Sequence, residues 1–280
     1  MNDDTAIESH YAFGENWARF AASLEESRIS HAVRELERLV PRAEMADASF
    51  LDVGSGSGLS ALAAIRLGAA RVLALDLDPD SVATSRAVLG RFAADTAWEV
   101  RELSALDLDA SDLGRFDVVH SWGVLHHTGA MWRAVDACLP LVRDGGLLVL
   151  ALYRRTPACD FWRAEKRFFS RAPAFLRVMI RGFYKLFFCG GLIATGRRPA
   201  TYIREFEKNR GMAWTTDVDD WLGGYPYESV TPDEVRAFLL MRGFAEVRSF
   251  TRPVRLAGLL GSHCDEYVYR KTHKPVLGTN

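Results

Sequence analysis

The stretch FLDVGSGSGLSALAAIRLGAARVLALDLDPDSV, Phe50 to Val82, leaves a chain few folds to choose from. An apolar run, Phe50–Val53, leads directly into Gly54, Gly56 and Gly58. Ser57–Leu67 then reads as a helix ending near Gly68, and Arg71–Leu75 as a second apolar run. Short apolar runs bounded by turn residues are buried strands. Two of them flanking a helix make a βαβ unit, which demands a parallel sheet. Glycines lack Cβ atoms, so they turn tightly and admit a ligand close to the backbone. The first turn of the following helix offers N–H groups that have no partner within the helix.

The alternation persists downstream. Asp78-Pro79 starts a helix with proline at its first position. Trp98–Leu103, Phe116–Ser121 and Leu147–Tyr153 read as strands, Met131–Val142 as a helix, and Asp144-Gly145-Gly146 as the turn before the fifth strand. Some seventy residues without strands follow. The pattern resumes at Thr231-Pro232-Asp233-Glu234, a capping box opening a helix that Gly243 closes. Ala245–Val254, with Pro253 near its end, and Asp265–Lys271 read as two closing strands, and His263-Cys264-Asp265-Glu266 as a loop at the sheet edge. Trp17–Val40 has helical spacing and stops at Pro41. The prediction is a single α/β domain over 1–280, a doubly wound, mostly parallel seven-stranded sheet. Its parts are an N-terminal helical cap (1–45), a core (46–153), a helical insertion after the fifth strand (154–228) and a closing helix with a strand hairpin (229–280).

A net charge of −1 over 280 residues argues against a general nucleic-acid binder, and no DNA partner is expected. Four scattered cysteines without a CxxC, and an acidic N-terminus without an apolar core segment, predict a cytoplasmic protein with reduced thiols. Three charges and a Gly-Gly pair interrupt Phe175–Ala194, the most apolar stretch, which makes a poor membrane span but leaves room for an interfacial helix. No metal site is expected. His126 and His127 are adjacent, and no cysteines are spaced to join them.

In open α/β sheets ligands sit beyond the carboxyl ends of the strands. No Gly-Lys-Ser/Thr follows the glycines, which excludes a P-loop. Gly56 to Ala61 matches the dinucleotide pattern GxGxxA, with Asp76 as the ribose acid, so an NAD-dependent oxidoreductase stays open. Asp52 at the mouth of the loop would repel a pyrophosphate and suit a cationic amino acid. That favours S-adenosylmethionine over NAD.

At these residues the chain resembles the class I S-adenosylmethionine-dependent methyltransferases, near the ubiquinone-type O-methyltransferases. The likeness covers Phe50–Tyr153 and, more loosely, Thr231–Lys271. It implies that Asp52, Gly54, Ser55, Gly56 and Gly58 meet the methionine and ribose parts of the cofactor, that Asp76 holds the ribose hydroxyls and that Leu77 packs on adenine. Where the family has an acid for the adenine amino group this chain has Ser104, with Asp107 as the nearby substitute. Ser121, Trp122 and Gly123, ending the fourth strand, are expected near the sulfonium. Trp122 is alternatively an anchor beneath the loop. His127, with His126 beside it, is the candidate base or orienting group; capping or backbone bonding is the competing role.

The insertion carries fourteen basic against four acidic residues between Arg154 and Arg210, interleaved with aromatics. A lid over an anionic small molecule, a surface for anionic membrane and a nucleic-acid or carrier-protein contact all stay open. Tyr153, Trp221, Tyr225 and Tyr227 are candidate acceptor-lining residues, and Tyr11 and Phe13, with Trp17, are expected to cover the site from the N-terminal side. The expected reaction is methyl transfer from S-adenosylmethionine, yielding S-adenosylhomocysteine, to oxygen rather than nitrogen of a small, anionic or carboxylate-bearing acceptor. A peptide, a lipid-like quinone precursor or an RNA is the alternative acceptor, and a binder without turnover the alternative role.

Overall fold

The computed structural model describes residues 17, 21, 24–210, 214–254, 256–259 and 261–272. Tyr11 and Phe13 lie outside them. The elements in chain order are α1 (Glu26–Leu39), α2 (Arg42–Met45), β1 (Ser49–Val53), α3 (Leu59–Leu67), β2 (Arg71–Asp76), α4 (Pro79–Phe92), β3 (Trp98–Glu102), α5 (Ala110–Leu113) and β4 (Phe116–Trp122). Next come α6 (Met131–Cys138), β5 (Val142–Tyr153), four insertion helices, α11 (Pro232–Leu240), β6 (Phe244–Phe250) and β7 (Cys264–Lys271). The insertion helices are α7 (Cys159–Arg171), α8 (Ala174–Ala194), α9 (Pro199–Arg210) and α10 (Trp214–Gly223).

The strands form one seven-stranded sheet in the order β3-β2-β1-β4-β5-β7-β6, parallel except that β7 runs antiparallel to both neighbours. Side chains alternate between faces along each strand. Phe50, Val72, Ala74, Val118 and Val149 pack against α1, α3 and α4. Leu51, Leu73, Leu75, Val119 and Leu148 pack with Ala134 and Val135 of α6 and Val235 and Leu239 of α11. Covered on both faces, β1 is buried at all five residues, which accounts for its unbroken apolar reading. A third cluster, with Trp162, Phe169, Tyr184, Trp214, Trp221 and Tyr227, gives the insertion its own core.

Several boundaries differ from the sequence reading. The expected helix from Trp17 to Val40 breaks at Glu25, which is extended (φ −111°, ψ 158°); Leu24 is buried there. The helix read as Met131–Val142 ends at Cys138 and tightens into a 3-10 turn, Leu139–Leu141, at Pro140. Asp144-Gly145-Gly146 does not precede β5 but bulges within it, since Phe116 pairs with Val142 and Val118 with Leu147. Glycine permits the bulge, because a Cβ at Gly146 would stand 2.8 Å from the Asp117 carbonyl oxygen. β6 stops at Phe250, which leaves Pro253 outside the sheet. Cys264, Asp265 and Glu266 open β7, second from the edge, rather than forming an edge loop; Asp265 is fully buried and paired with Arg154 at 2.5 Å. The capping box is present as read, with Thr231 and Glu234 bonding each other's backbone N–H.

Candidate functional site

The glycine loop leaves the carboxyl end of β1 in the left-handed region, at φ 80°, 53° and 74° for Gly54, Gly56 and Gly58. The neighbours tolerate no side chain there. A Cβ at Gly54 would lie 2.4 Å from the Val124 methyls, and one at Gly56 2.9 Å from the Trp17 indole. Trp17 thus lies over the loop. The Gly54 and Ser55 N–H groups donate to the Leu75 carbonyl at 2.8 and 2.9 Å, which ties the loop to the end of β2.

Asp76, the last residue of β2, accepts from the Gly56 N–H (2.8 Å) on one oxygen and from the Asp78 N–H (3.0 Å) on the other. Burial pushes its carboxyl above the ordinary range despite these bonds. Ser85 of α4 donates to the Gly56 carbonyl (3.1 Å) and lies 3.0 Å from the Ser55 hydroxyl. Each carboxylate oxygen has two lone-pair sites, so Asp76 keeps acceptor capacity for a ligand diol beside the loop.

Asp52 is not at an open mouth, as the sequence suggested, but inside β1 at 2 % exposure. Register sets it against His120 of β4, whose Nδ1 donates to Asp52 Oδ1 at 2.8 Å. Oδ2 is equally buried and has no hydrogen-bond partner among the described residues. A buried carboxylate oxygen without a donor is costly, and a cationic or N–H group from a ligand would relieve it.

At the end of β4, Ser121 is buried and donates to the Val53 carbonyl at 2.8 Å, pinning β4 to β1. Trp122 is 43 % exposed and donates to Glu266 of β7 at 2.9 Å. It therefore turns towards β7 and away from β1, and it is no anchor beneath the loop. Gly123 holds φ 78° in open space. Leu77 is half-buried beside Asp76, and Ser104, also half-buried, accepts from the Leu106 N–H at 3.1 Å in a turn after β3.

The histidines follow on the 3-10 turn Leu125–His127. The His127 Nδ1 donates to the Pro226 carbonyl at 2.7 Å, and a carbonyl can only accept. The neutral ring is therefore the tautomer with its lone pair on Nε2. His126 is fully buried, with neither ring nitrogen hydrogen-bonded among the described residues. Burial first, then His127 and Lys166, hold it well below the usual histidine range, so it is neutral at physiological pH.

His126 packs on Tyr153 with the ring centroids 3.9 Å apart and the rings tilted by 37°, and Tyr153 contacts Trp221 at 5.6 Å and Tyr227 at 5.3 Å between centroids. Three of the acceptor candidates thus join the histidine pair in one aromatic cluster, although 74 residues separate Tyr153 from Tyr227 in sequence. Trp221 and Tyr227 belong to the insertion core, and Tyr225 is buried nearby in sequence. Lys166 of α7, fully buried, donates to the Trp221 carbonyl and sits 3.6 Å from the Trp221 ring centroid. Burial drives its ammonium down and the neighbouring Glu165 carboxyl up. Both Glu165 oxygens are buried without a partner among the described residues.

Sequence reasoning missed His120, Ser85, Val124 and the Glu165–Lys166 pair. Only His120 left a readable signal, as a polar residue inside an apolar strand due to lie beside β1. Among the described residues no group of three His, Cys, Asp or Glu side chains is arranged to hold a metal.

Residues 51–148 match a family model described as a methyltransferase domain. The chain is 38 % identical over 123 residues to a ubiquinone biosynthesis O-methyltransferase from Xanthomonas euvesicatoria, covering 44 % of this chain and 50 % of that protein. The figures are the same for the enzyme of that name from Xanthomonas axonopodis. The match thus spans about half the length of these curated relatives. Two solved structures share the fold. Magnesium protoporphyrin IX methyltransferase from Synechocystis, crystallised with SAH, superposes with a TM-score of 0.54 at 14 % identity, over 92 % of this chain and 93 % of that one. An S-adenosylmethionine-dependent methyltransferase from Mesorhizobium loti gives 0.52 at 18 %, over 85 % and 96 %. Residues 51–148 are thus similar to a methyltransferase domain, and the chain shares its fold with these two solved methyltransferases.

Proposed function

We propose that the protein transfers the methyl group of S-adenosylmethionine to an oxygen of a small, anionic or carboxylate-bearing acceptor, releasing S-adenosylhomocysteine. The observation that carries this reading is the pair of acids flanking the glycine loop. Asp76 has acceptor capacity beside the loop, and Asp52 has one buried oxygen without a donor among the described residues. Together they suit a ligand with a diol and a cationic amino group and no phosphate. The antiparallel β7 also departs from the six-strand order of dinucleotide-binding sheets, which weighs against the NAD reading.

In this reading Asp76 takes the ribose hydroxyls, and Asp52 Oδ2 takes the amino group directly or through water. The glycine-loop backbone meets the methionine portion. Leu77 and Ser104 flank the adenine, and Ser121 and Gly123 close the β4 side, with Trp122 turned outward to Glu266. The bound cofactor supplies an electrophilic methyl group on a sulfonium, and the displacement asks the protein chiefly for alignment. Holding the reactants in line contributes about 7–11 kcal/mol. His127, with its lone pair on Nε2, accepts the acceptor's hydroxyl proton where that proton is still present. His126, neutral and packed on Tyr153, positions the turn. Tyr153, Trp221, Tyr225 and Tyr227 wall the acceptor side, and the acceptor enters beneath the insertion. Oxygen is favoured because both relatives are O-methyltransferases by name.

The test is product formation from methyl-labelled S-adenosylmethionine across a panel of phenols and carboxylic acids, with wild type and His127→Ala. Methylated product from the wild type, and about a hundredfold slower turnover in the variant at unchanged cofactor affinity, is the expected result. An unchanged rate would make His127 structural. Tight cofactor binding with no product across the panel would make the protein a binder.

A further inference from the structure

Helix α8 has two apolar faces. Tyr184 and Leu192 are buried on its inner side, where Ile180 and Phe188 also pack into the insertion core. On its outer side Phe175 (66 % exposed), Met179 (66 %), Phe183 (73 %), Leu186 (76 %) and Ile193 (65 %) face away from the protein. These positions are spaced by four, four, three and seven residues, so they form one stripe from Phe175 to Ile193 of the 21-residue helix, a length of about 27 Å. A contiguous apolar surface of this kind marks an interaction site.

Charge identifies what covers it. The three cations within the helix are turned off the stripe: Arg177 donates to the Ser170 carbonyl, Arg181 pairs with Asp219, and Lys185 lies over the Trp214 ring. Arg171 before the helix and Arg197 and Arg198 after it are exposed, so the apolar stripe is cationic at both ends. No single helix among the described residues is long and apolar enough to cross a membrane. A helix with one free apolar face and cations at its margins lies in the plane of a bilayer surface, its apolar side chains at the acyl boundary and its arginines at the phosphates. A second copy is the weaker occupant, since pairing two segments with fourteen basic and four acidic residues each sets like charges together.

We propose that the outer face of α8 docks on an anionic lipid bilayer and holds the protein there as a peripheral membrane protein. The proposal is independent of which methyl acceptor the site takes.

The experiment is co-sedimentation of the full chain with vesicles of equimolar phosphatidylglycerol and phosphatidylcholine, and with phosphatidylcholine alone. The wild type should partition onto the anionic vesicles at least about tenfold more strongly, and raised salt should weaken the binding. Phe183→Glu/Leu186→Glu should lower it by about tenfold or more while the melting temperature and the affinity for S-adenosylhomocysteine stay as in the wild type. Arg197→Glu/Arg198→Glu should weaken it without altering either property. Absence of binding to the anionic vesicles, or unchanged binding by Phe183→Glu/Leu186→Glu, overturns the proposal. So does a dimer in analytical ultracentrifugation that this variant dissociates, because the occupant is then a second copy. The affinity for S-adenosylhomocysteine is read separately, so failure of the docking proposal and failure of the methyltransferase reading give different results.

Discussion

Replacing His120 by alanine isolates the least expected feature of the site. Asp52 and His120 are both about 2 % exposed and joined at 2.8 Å, and the second Asp52 oxygen already lacks a donor among the described residues. His120→Ala therefore leaves a buried carboxylate with no partner on either oxygen. Losing one member of a buried, hydrogen-bonded pair costs about 3–5 kcal/mol. At about 2–4 °C per kcal/mol for a domain of this size, melting should fall by about 6–20 °C. Adding Asp52→Asn removes the stranded charge, so the double variant should recover part of that loss. In the proposed reading S-adenosylhomocysteine brings an ammonium to Asp52, so it should raise the melting temperature of His120→Ala by more than that of wild type. Urea unfolding and thermal melts with and without the ligand measure all three effects. The reasoning fails if His120→Ala melts within about 2 °C of wild type, or if Asp52→Asn gives no recovery in that background.

Three further outcomes follow from neighbouring residues. Burial holds His126 well below the usual histidine range, so in the window below about pH 6.5 the unfolded chain binds the proton that the folded one refuses. Stability should fall with pH there by up to about 1.4 kcal/mol per unit, and His126→Phe should flatten that slope in unfolding curves taken across the window. Gly54→Ala and Gly123→Ala both put a side chain at positive φ, at about 1–2 kcal/mol. Only at Gly54 does the new Cβ collide with Val124, so Gly54→Ala should melt lower and bind S-adenosylhomocysteine more weakly than Gly123→Ala; equal behaviour in calorimetry would refute the contact. Asp76 has its carboxyl raised by burial, so cofactor affinity should weaken on acidification at a higher pH than for an ordinary aspartate, as a titration series would show.

The core was legible because its physics is local. Strand periodicity, the glycines at 54, 56 and 58 and the Thr231–Glu234 capping box each specify their own conformation, and the mostly parallel sheet follows from linking βαβ units. What sequence could not reach depends on register and on packing between distant segments. That Asp52 is a buried partner of His120 follows from which residues of β1 and β4 lie opposite one another. That Trp122 turns outward follows from Glu266, 144 residues away. The Asp144–Gly146 turn became a bulge because β5 pairs with β4 on both sides of it, a choice made by the sheet. The insertion was recognisable by charge and aromatic content. Its division into an inner face that builds a core and an outer face that builds none needed the helix packing.

Equilibrium titration calorimetry of S-adenosylhomocysteine and of NAD into the full chain, alongside Asp76→Ala, tests the central claim most directly. One site binding S-adenosylhomocysteine, no heat with NAD, and at least about a tenfold loss of affinity in the variant is the predicted result, since the proposed reading gives Asp76 the two ribose hydroxyls. Binding of NAD without S-adenosylhomocysteine, or an affinity untouched by Asp76→Ala, would contradict it.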